Sequence, residues 1–314
     1  MTALAEAPAA EPRRVGGLSD LLWRRPGLLL AGLLLPPMLW LGIVYLGSLF
    51  ALLAQSFFSI DEFSGVIDRT PTLKTWGELL RPHNLDIIWR TVGMAALVTL
   101  ASIAVAFPIA YYAARYARGA WKAVFYLGIM LPLWSSYLVK VYAWKLILAK
   151  EGIVGWGFES VGLGGLLRAF LAIPGIGGNS LSVSPTGTFL VFVYVWLPFM
   201  ILPIQAALER VPPSYLEASG DLGATPGQTF RHVIWPLALP GVVAGSIFTF
   251  SLTLGDYIIP QIIGTSARFI GLAVYQYQGT AGNIPLAAAF AVVPILVMGV
   301  YLAVAKRMGA FDAL

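Results

Sequence analysis

Glu217-Ala218-Ser219-Gly220-Asp221-Leu222-Gly223, continuing through Thr225-Pro226-Gly227-Gln228 to Phe230 and Pro236, is a polar stretch set between long apolar segments. Its punctuation decides how those segments are arranged. Ser214 and Glu217 stand at capping-box spacing, the hydroxyl placed to accept from the amide at Glu217 and the carboxylate to accept from the amide of Ser214, which predicts a helix starting at Ser214. Gly223 can take the left-handed conformation that stops it. Thr225, Pro226 and Gln228 repeat the start signal, with threonine as cap, proline at the first helical position and glutamine at the third. Residues 209–236 therefore read as two short helices joined by a tight bend.

The flanking segments belong in a bilayer. Hydrophobic residues make up 58% of the 314-residue chain and charged residues 11%, against roughly a quarter charged in soluble domains. A spanning helix needs about 20 mostly apolar residues, and six segments qualify, near 28–54, 91–114, 121–148, 186–208, 236–262 and 284–305. An even number of crossings puts both termini on one side. Arg13, Arg14, Arg24 and Arg25 precede the first segment, Arg115, Arg118 and Lys122 follow the second, and Lys306 and Arg307 follow the last, so the positive-inside rule makes that side cytoplasmic. The stretch at Glu217 then faces the cytoplasm as well. Residues 1–27 read as a disordered cytoplasmic tail, 28–308 as the membrane domain and 309–314 as a cytoplasmic tail. Pro36 and Pro37 should kink the first span unless neighbours satisfy the freed carbonyls.

Several functional classes fall away. The net charge of +5 comes from dispersed basic residues beside apolar segments, with no basic stripe interleaved with aromatics, so it marks membrane orientation and not nucleic-acid binding. Cysteine is absent, which excludes disulfides and thiolate metal sites. No glycine-rich phosphate loop ending in Lys-Ser or Lys-Thr is present. The two histidines, His83 and His232, fall in predicted loops on opposite sides of the membrane. Neither a catalytic site, a metal site nor a cofactor is expected. Two outer loops, 55–90 and 149–185, can either receive an external partner or connect spans passively; the second is glycine-rich, with a short interfacial helix expected over Leu163–Ile173.

Asp256 is the chemical oddity of the fifth span. Counting from Pro236, about 20 residues at 1.5 Å place it roughly 30 Å along, near the outer end. An acid there faces protein or a water-filled cavity. With Tyr257 beside it, it can hold an amine at a gate by charge and ring-face attraction; equally, it can pair with a lysine or cap a helix break before Pro260. Lys140 and Lys145, toward the outer end of the third span, either snorkel to the headgroups or line the path, and in the latter case they favour an anionic solute. Trp134, Tyr137, Tyr194 and Trp196 are candidates for lining the cavity, or for packing and the interfacial belt.

The polar stretch resembles the EAA loop in the membrane subunits of bacterial ABC importers, through Glu217, Ala218, Gly223, Val233 and Pro236; Ser219 replaces the second alanine of the pattern and Trp235 its usual leucine. Residues Leu131-Pro132-Leu133-Trp134-Ser135-Ser136-Tyr137-Leu138-Val139-Lys140, with Gly152-Ile153, and Leu254-Gly255-Asp256-Tyr257-Ile258-Ile259-Pro260 are similar to the first permease of spermidine and putrescine importers. So are Phe107-Pro108-Ile109-Ala110-Tyr111 and Leu202-Pro203-Ile204-Gln205 running to Glu209. The resemblance implies an all-α polytopic fold of the type I ABC importer permease class in a bacterial inner membrane, with both termini cytoplasmic. It implies that Glu217, Ala218, Ser219, Gly223, Thr225 and Pro226 dock a cytoplasmic ABC ATPase dimer, and that a second permease, expected to be a paralogue, and an extracytoplasmic solute-binding protein complete the machine. Asp256, Tyr257, Trp134 and Tyr137 are the expected pathway residues. Polyamines are the solute expected first, and relatives of the same branch serve ferric iron, sulfate, thiamine and opine-like compounds. An ATP-independent secondary transporter is the competing class; its inverted repeats are not evident.

Overall fold

The computed structural model describes residues 26–61, 63–265 and 269–307. The terminal tails expected at 1–27 and 309–314, including Arg13, Arg14, Arg24 and Arg25, lie outside these residues apart from Pro26 and Gly27. The chain divides into two compact units, Met1–Ala54 and Gln55–Leu314. In the first, α1 (Pro26–Leu39) carries Pro36 and Pro37. It passes into a π-helical turn, Trp40–Leu46, and then into α2 (Gly47–Gln55). Two prolines remove two amide donors in succession, and the wider hydrogen-bonding register that follows lets the helix continue. Leu29–Gln55 thus remains one apolar helix of 27 residues.

The second unit begins with a small hairpin, β1 (Ser59–Ile60) against β2 (Ile67–Asp68), antiparallel with Ser59 opposite Asp68. A short helix, α3 (Lys74–Leu79), follows. Next, α4 (Pro82–Arg115) opens on a proline at its first turn. It runs nine residues earlier than the expected start at 91, since Pro82 seeds a helix in the segment read as loop.

The third span departs from expectation. In place of one helix over 121–148 there are α5 (Ala120–Trp134) and α6 (Tyr137–Ile147), bent by 97°. Ser135 and Ser136 are extended between them. Because α5 ends at Trp134, its last carbonyls, that of Pro132 among them, have no helical donors, and side chains replace them. Ser135 Oγ donates to the Pro132 carbonyl at 2.9 Å and Lys140 Nζ donates to the same oxygen at 2.7 Å.

Beyond α6 come α7 (Ile153–Ser160) and α8 (Gly164–Leu171), the latter where a short helix over Leu163–Ile173 was expected. The fourth span, α9 (Pro185–Glu209), leads into α10 (Pro213–Asp221), α11 (Pro226–Thr229), a π-helical turn over Phe230–Ile234, and α12 (Trp235–Gly255). The fifth span also breaks, at Asp256 and Tyr257, before α13 (Ile258–Ile262). The expected continuous span over 236–262 therefore starts earlier and stops sooner. Finally, α14 (Ile270–Gln278) precedes the last span, α15 (Ile284–Arg307). Among the described residues five unbroken helices are long and apolar enough to cross a membrane, and the bent pair α5–α6 has the length and apolarity of a sixth.

Apolar burial alone does not associate helices whose outer surface is already in hydrocarbon; close packing does. Here α9 packs between α4 and α12. Gly241 and Gly245, one turn apart on α12, let the backbones meet: a Cβ at Gly241 would lie 2.5 Å from the Pro203 carbonyl oxygen, and one at Gly245 would lie 2.8 Å from Met200 Sδ. Two core clusters form along α9. One, near the α9 C-terminus, gathers Phe107, Ile204, Leu208, Ile234 and Ala238; the other, near its N-terminus, gathers Val98, Val141, Leu148, Val191 and Ile259.

Candidate functional site

The polar hairpin carries its own stop and restart. Gly223 takes φ 78°, and its amide and that of Ala224 close on the carbonyls of Gly220 and Ser219. The Thr225–Gln228 capping box forms in full: Thr225 Oγ1 accepts from the Gln228 amide and Gln228 Oε1 accepts from the Thr225 amide at 2.8 Å. The first box does not form. Pro213 opens α10 with Pro212 in the cap position, and no side chain caps that end. The paired prolines preset the helical entry, which leaves Ser214 inside the first turn, where its hydroxyl no longer stands in front of the free amides.

One side of the hairpin is tied down and the other is free. Leu216 packs on the cluster containing Phe107 and Ile234. Phe107 meets Phe230 edge-on, with centroids 5.6 Å apart, and Trp235 at 5.5 Å. The Ser219 and Thr229 hydroxyls, 2.8 Å apart, join α10 to α11. Glu217, Ala218, Gly223, Thr225 and Pro226 are exposed, and Leu222 is 88% exposed. A large aliphatic side chain standing that free beside a carboxylate suits a docking tip.

A polar cluster at the hairpin's root escaped the sequence reading. Glu209, the last residue of α9, receives Lys122 Nζ at 2.8 Å, the Tyr126 hydroxyl at 3.0 Å and Gln205 Nε2 at 3.3 Å. Lys122 and Tyr126 lie on α5, so this cluster fastens the start of the bent span to the base of the hairpin. The one available signal was the Gln205–Glu209 pair, four residues apart on a helix. Nothing in the pattern linked it to Tyr126.

At the other end the two helix breaks meet. Asp256 Oδ1 accepts from the amides of Ile258 at 2.7 Å and Ile259 at 3.1 Å, and so caps α13. Its second oxygen accepts from the hydroxyl of Tyr137, the first residue of α6. Of the alternatives open for Asp256, the cap at a break before Pro260 is present, and among the described residues no lysine or arginine pairs with it. The carboxylate borders a cavity of about 330 Å³ lined also by Tyr137, Trp196, Ser251 and Tyr257. Tyr137 stacks on Trp196 with centroids 5.8 Å apart, and Tyr257 stacks on Tyr275 at 4.9 Å. The Trp196 indole N–H is buried without an acceptor.

The remaining candidates separate. Trp134, at the end of α5, is 76% exposed and lies outside the cavity lining. Tyr194 packs on Trp144 at 5.0 Å. Lys140, half-buried on α6, donates to the Pro132 carbonyl. Lys145, in the last turn of α6, is exposed.

Residues 106–310 match the family described as binding-protein-dependent transport system inner membrane component. The chain belongs to that family and is a non-catalytic, multi-pass inner-membrane permease subunit of an ABC importer. It is 57% identical over 300 residues to the inner membrane ABC transporter permease protein YdcU of Escherichia coli (strain K12), covering 96% of each chain. It is 27% identical over 259 residues to the spermidine/putrescine transport system permease protein PotB of the same organism, covering 82% of this chain and 89% of that one. In fold it matches a solved bacterial ABC transporter that imports the acidic polysaccharide alginate, with a TM-score of 0.70 at 16% identity over 92% of this chain and 98% of that one.

Proposed function

We propose that this subunit forms one half of the pathway for a small cationic amine, a polyamine of the spermidine or putrescine kind. The observation that carries this is Asp256, a carboxylate without a cationic partner among the described residues, at the rim of a cavity walled by Tyr137, Trp196 and Tyr257. Charge and aromatic faces together suit an ammonium group partly stripped of water. Lys140, the charge that would argue for an anion, is engaged by a backbone carbonyl. The similarity to a permease named for spermidine and putrescine supports the same reading.

The partners follow the same logic. A cytoplasmic ABC ATPase dimer docks on α10 and α11 through the exposed Glu217, Ala218, Gly223, Thr225 and Pro226, with Ser219, half-buried and bonded to Thr229, holding the two helices together. A second permease, a paralogue, supplies the other half of the pathway, and an extracytoplasmic binding protein delivers the solute. Both termini are cytoplasmic.

The test is uptake of labelled putrescine or spermidine by the assembled importer in proteoliposomes. Asp256→Asn keeps the shape, removes the charge and should lower uptake severalfold, with Asp256→Glu recovering part of it. A solvent-exposed ion pair is worth only about 0 to 1 kcal/mol, at most about fivefold, so a loss greater than that supports the partly dehydrated site described. Absence of polyamine uptake by the unaltered importer, or full activity of Asp256→Asn, refutes the assignment.

A further inference from the structure

Exposed apolar side chains on the spans need no special account, because lipid covers them. Those on the α7–α8 hairpin do. This hairpin lies in a connection at the end of α9 opposite the coupling loop, in a stretch that crosses nothing. It is held to the bundle by one apolar face: Val154, Leu167 and Leu171 pack on the cluster of Leu148, Leu181 and Val191. The amide of Gly178 closes on the Leu171 carbonyl and that of Ser182 on the Leu148 carbonyl, each at about 3 Å.

A second apolar face is left uncovered. Ile153 and Trp156 on α7 are 70% and 69% exposed, and Leu166 on α8 is 64% exposed. Leu163, Leu166 and Phe170 recur at i, i+3 and i+7 and so form one stripe along α8, with Arg168 on the other side of the helix. Arg168 and Glu159, 3.7 Å apart and largely exposed, neutralise each other away from that stripe. A contiguous apolar patch of this kind is seldom left to water.

We infer that the α7–α8 hairpin is a membrane-surface anchor, its Ile153–Trp156–Leu166–Phe170 face sunk into the headgroup region of the leaflet opposite the coupling loop. Two observations select lipid as the occupant. The preceding helix, α6, is likewise apolar on its exposed side, where Leu138, Val139, Tyr142 and Leu146 are all uncovered. Its composition is that of an interfacial helix pair: an indole and a phenyl ring on the apolar side and a neutralised ion pair on the other. The anchor would fix the level of α6, and with it Tyr137 and the break at Asp256, relative to the membrane surface.

The absence of native cysteine makes the test direct. Trp156→Cys, Leu166→Cys and Arg168→Cys are each labelled with bimane in the assembled importer, reconstituted in vesicles of phosphatidylethanolamine and phosphatidylglycerol. Quenching is compared between aqueous iodide and phosphatidylcholine brominated on its acyl chains. Labels at 156 and 166 should be quenched by the brominated lipid and shielded from iodide, and the label at 168 should show the reverse preference. Iodide quenching at 156 and 166 equal to that at 168 overturns the anchor in favour of a solvated face. Shielding from both quenchers overturns it in favour of a protein neighbour. Neither result depends on which solute the importer carries.

Discussion

Lys140 shows how a single side chain can mislead when only its charge is read. In the sequence it is a cation in a membrane segment, with a choice between snorkelling and lining a path. In the fold it donates to the Pro132 carbonyl, which the end of α5 leaves without a helical donor, together with Ser135 Oγ. That contact spans the bend, so Lys140→Met should leave solute preference unchanged and cost about 1.5 to 3 kcal/mol of stability, the range for a hydrogen bond to a charged group. A lowered thermal unfolding midpoint with an unaltered uptake profile is the expected result; altered charge selectivity would return the lysine to the pathway. Asp256 was half legible. Counting residues from Pro236 located it near a helix end, and the turn toward Pro260 made a cap one of its readings. The Tyr137 hydroxyl on its second oxygen was out of reach, because 119 positions separate the two residues in the chain.

Among the elements, the polar hairpin was the most readable, because capping is local: Gly223, Thr225 and Gln228 specify their own conformations within a few residues. Even there Pro212 and Pro213 outweighed the Ser214 signal, as a preset φ does when it competes with a hydroxyl. The bend between α5 and α6 was not readable, since Ser135-Ser136 is a brief polar pair in an otherwise apolar run, and the sequence does not show Lys140 reaching back across it from α6. Two variants probe the hairpin. Glu217→Arg reverses the charge on its free face and should weaken co-purification of the ATPase while membrane insertion persists; unchanged association would deny Glu217 that part. Glu209→Gln loosens the fastening to Lys122 and Tyr126 without touching the free face. It should keep the ATPase bound and lower transport per ATP hydrolysed. Equal loss of both would mean that Glu209 supports the hairpin's fold instead.

For the whole molecule, orientation follows from where the charges lie along the chain, and it is open to direct measurement. Arg69→Cys and Asn179→Cys, at exposed positions in the two outer connections, should react with an impermeant maleimide added to intact cells, and Gly220→Cys should not. The reverse pattern would invert the protein and detach α10 from any cytoplasmic ATPase. The class of fold was legible because apolar length and capping are statements about neighbours in sequence. The seam between α9 and α12 was less so: Gly241 and Gly245 carry the right spacing for close approach, but only the packed pair shows that Pro203 and Met200 are what they meet.

Pro226 to Gly255 is a single helix of 30 residues, about 45 Å long at 1.5 Å per residue. One end begins in the polar hairpin and the other stops at Asp256. Such a shaft is unbroken between them, with Pro236, Pro240 and the π turn as the points where it can bend, so a tilt imposed at its tip is carried along it toward the Asp256–Tyr137 contact. The π turn at Phe230–Ile234 sets the phase of that shaft. It carries one residue more than an α turn, which offsets the two ends by about 100°, and it thereby lets the docking tip and the face toward α9 be aimed separately. Deleting Arg231 should cancel the offset and swing the tip around the axis while every span stays in the membrane. A chain that inserts and assembles but transports nothing would be the mark of a lever with its handle turned the wrong way.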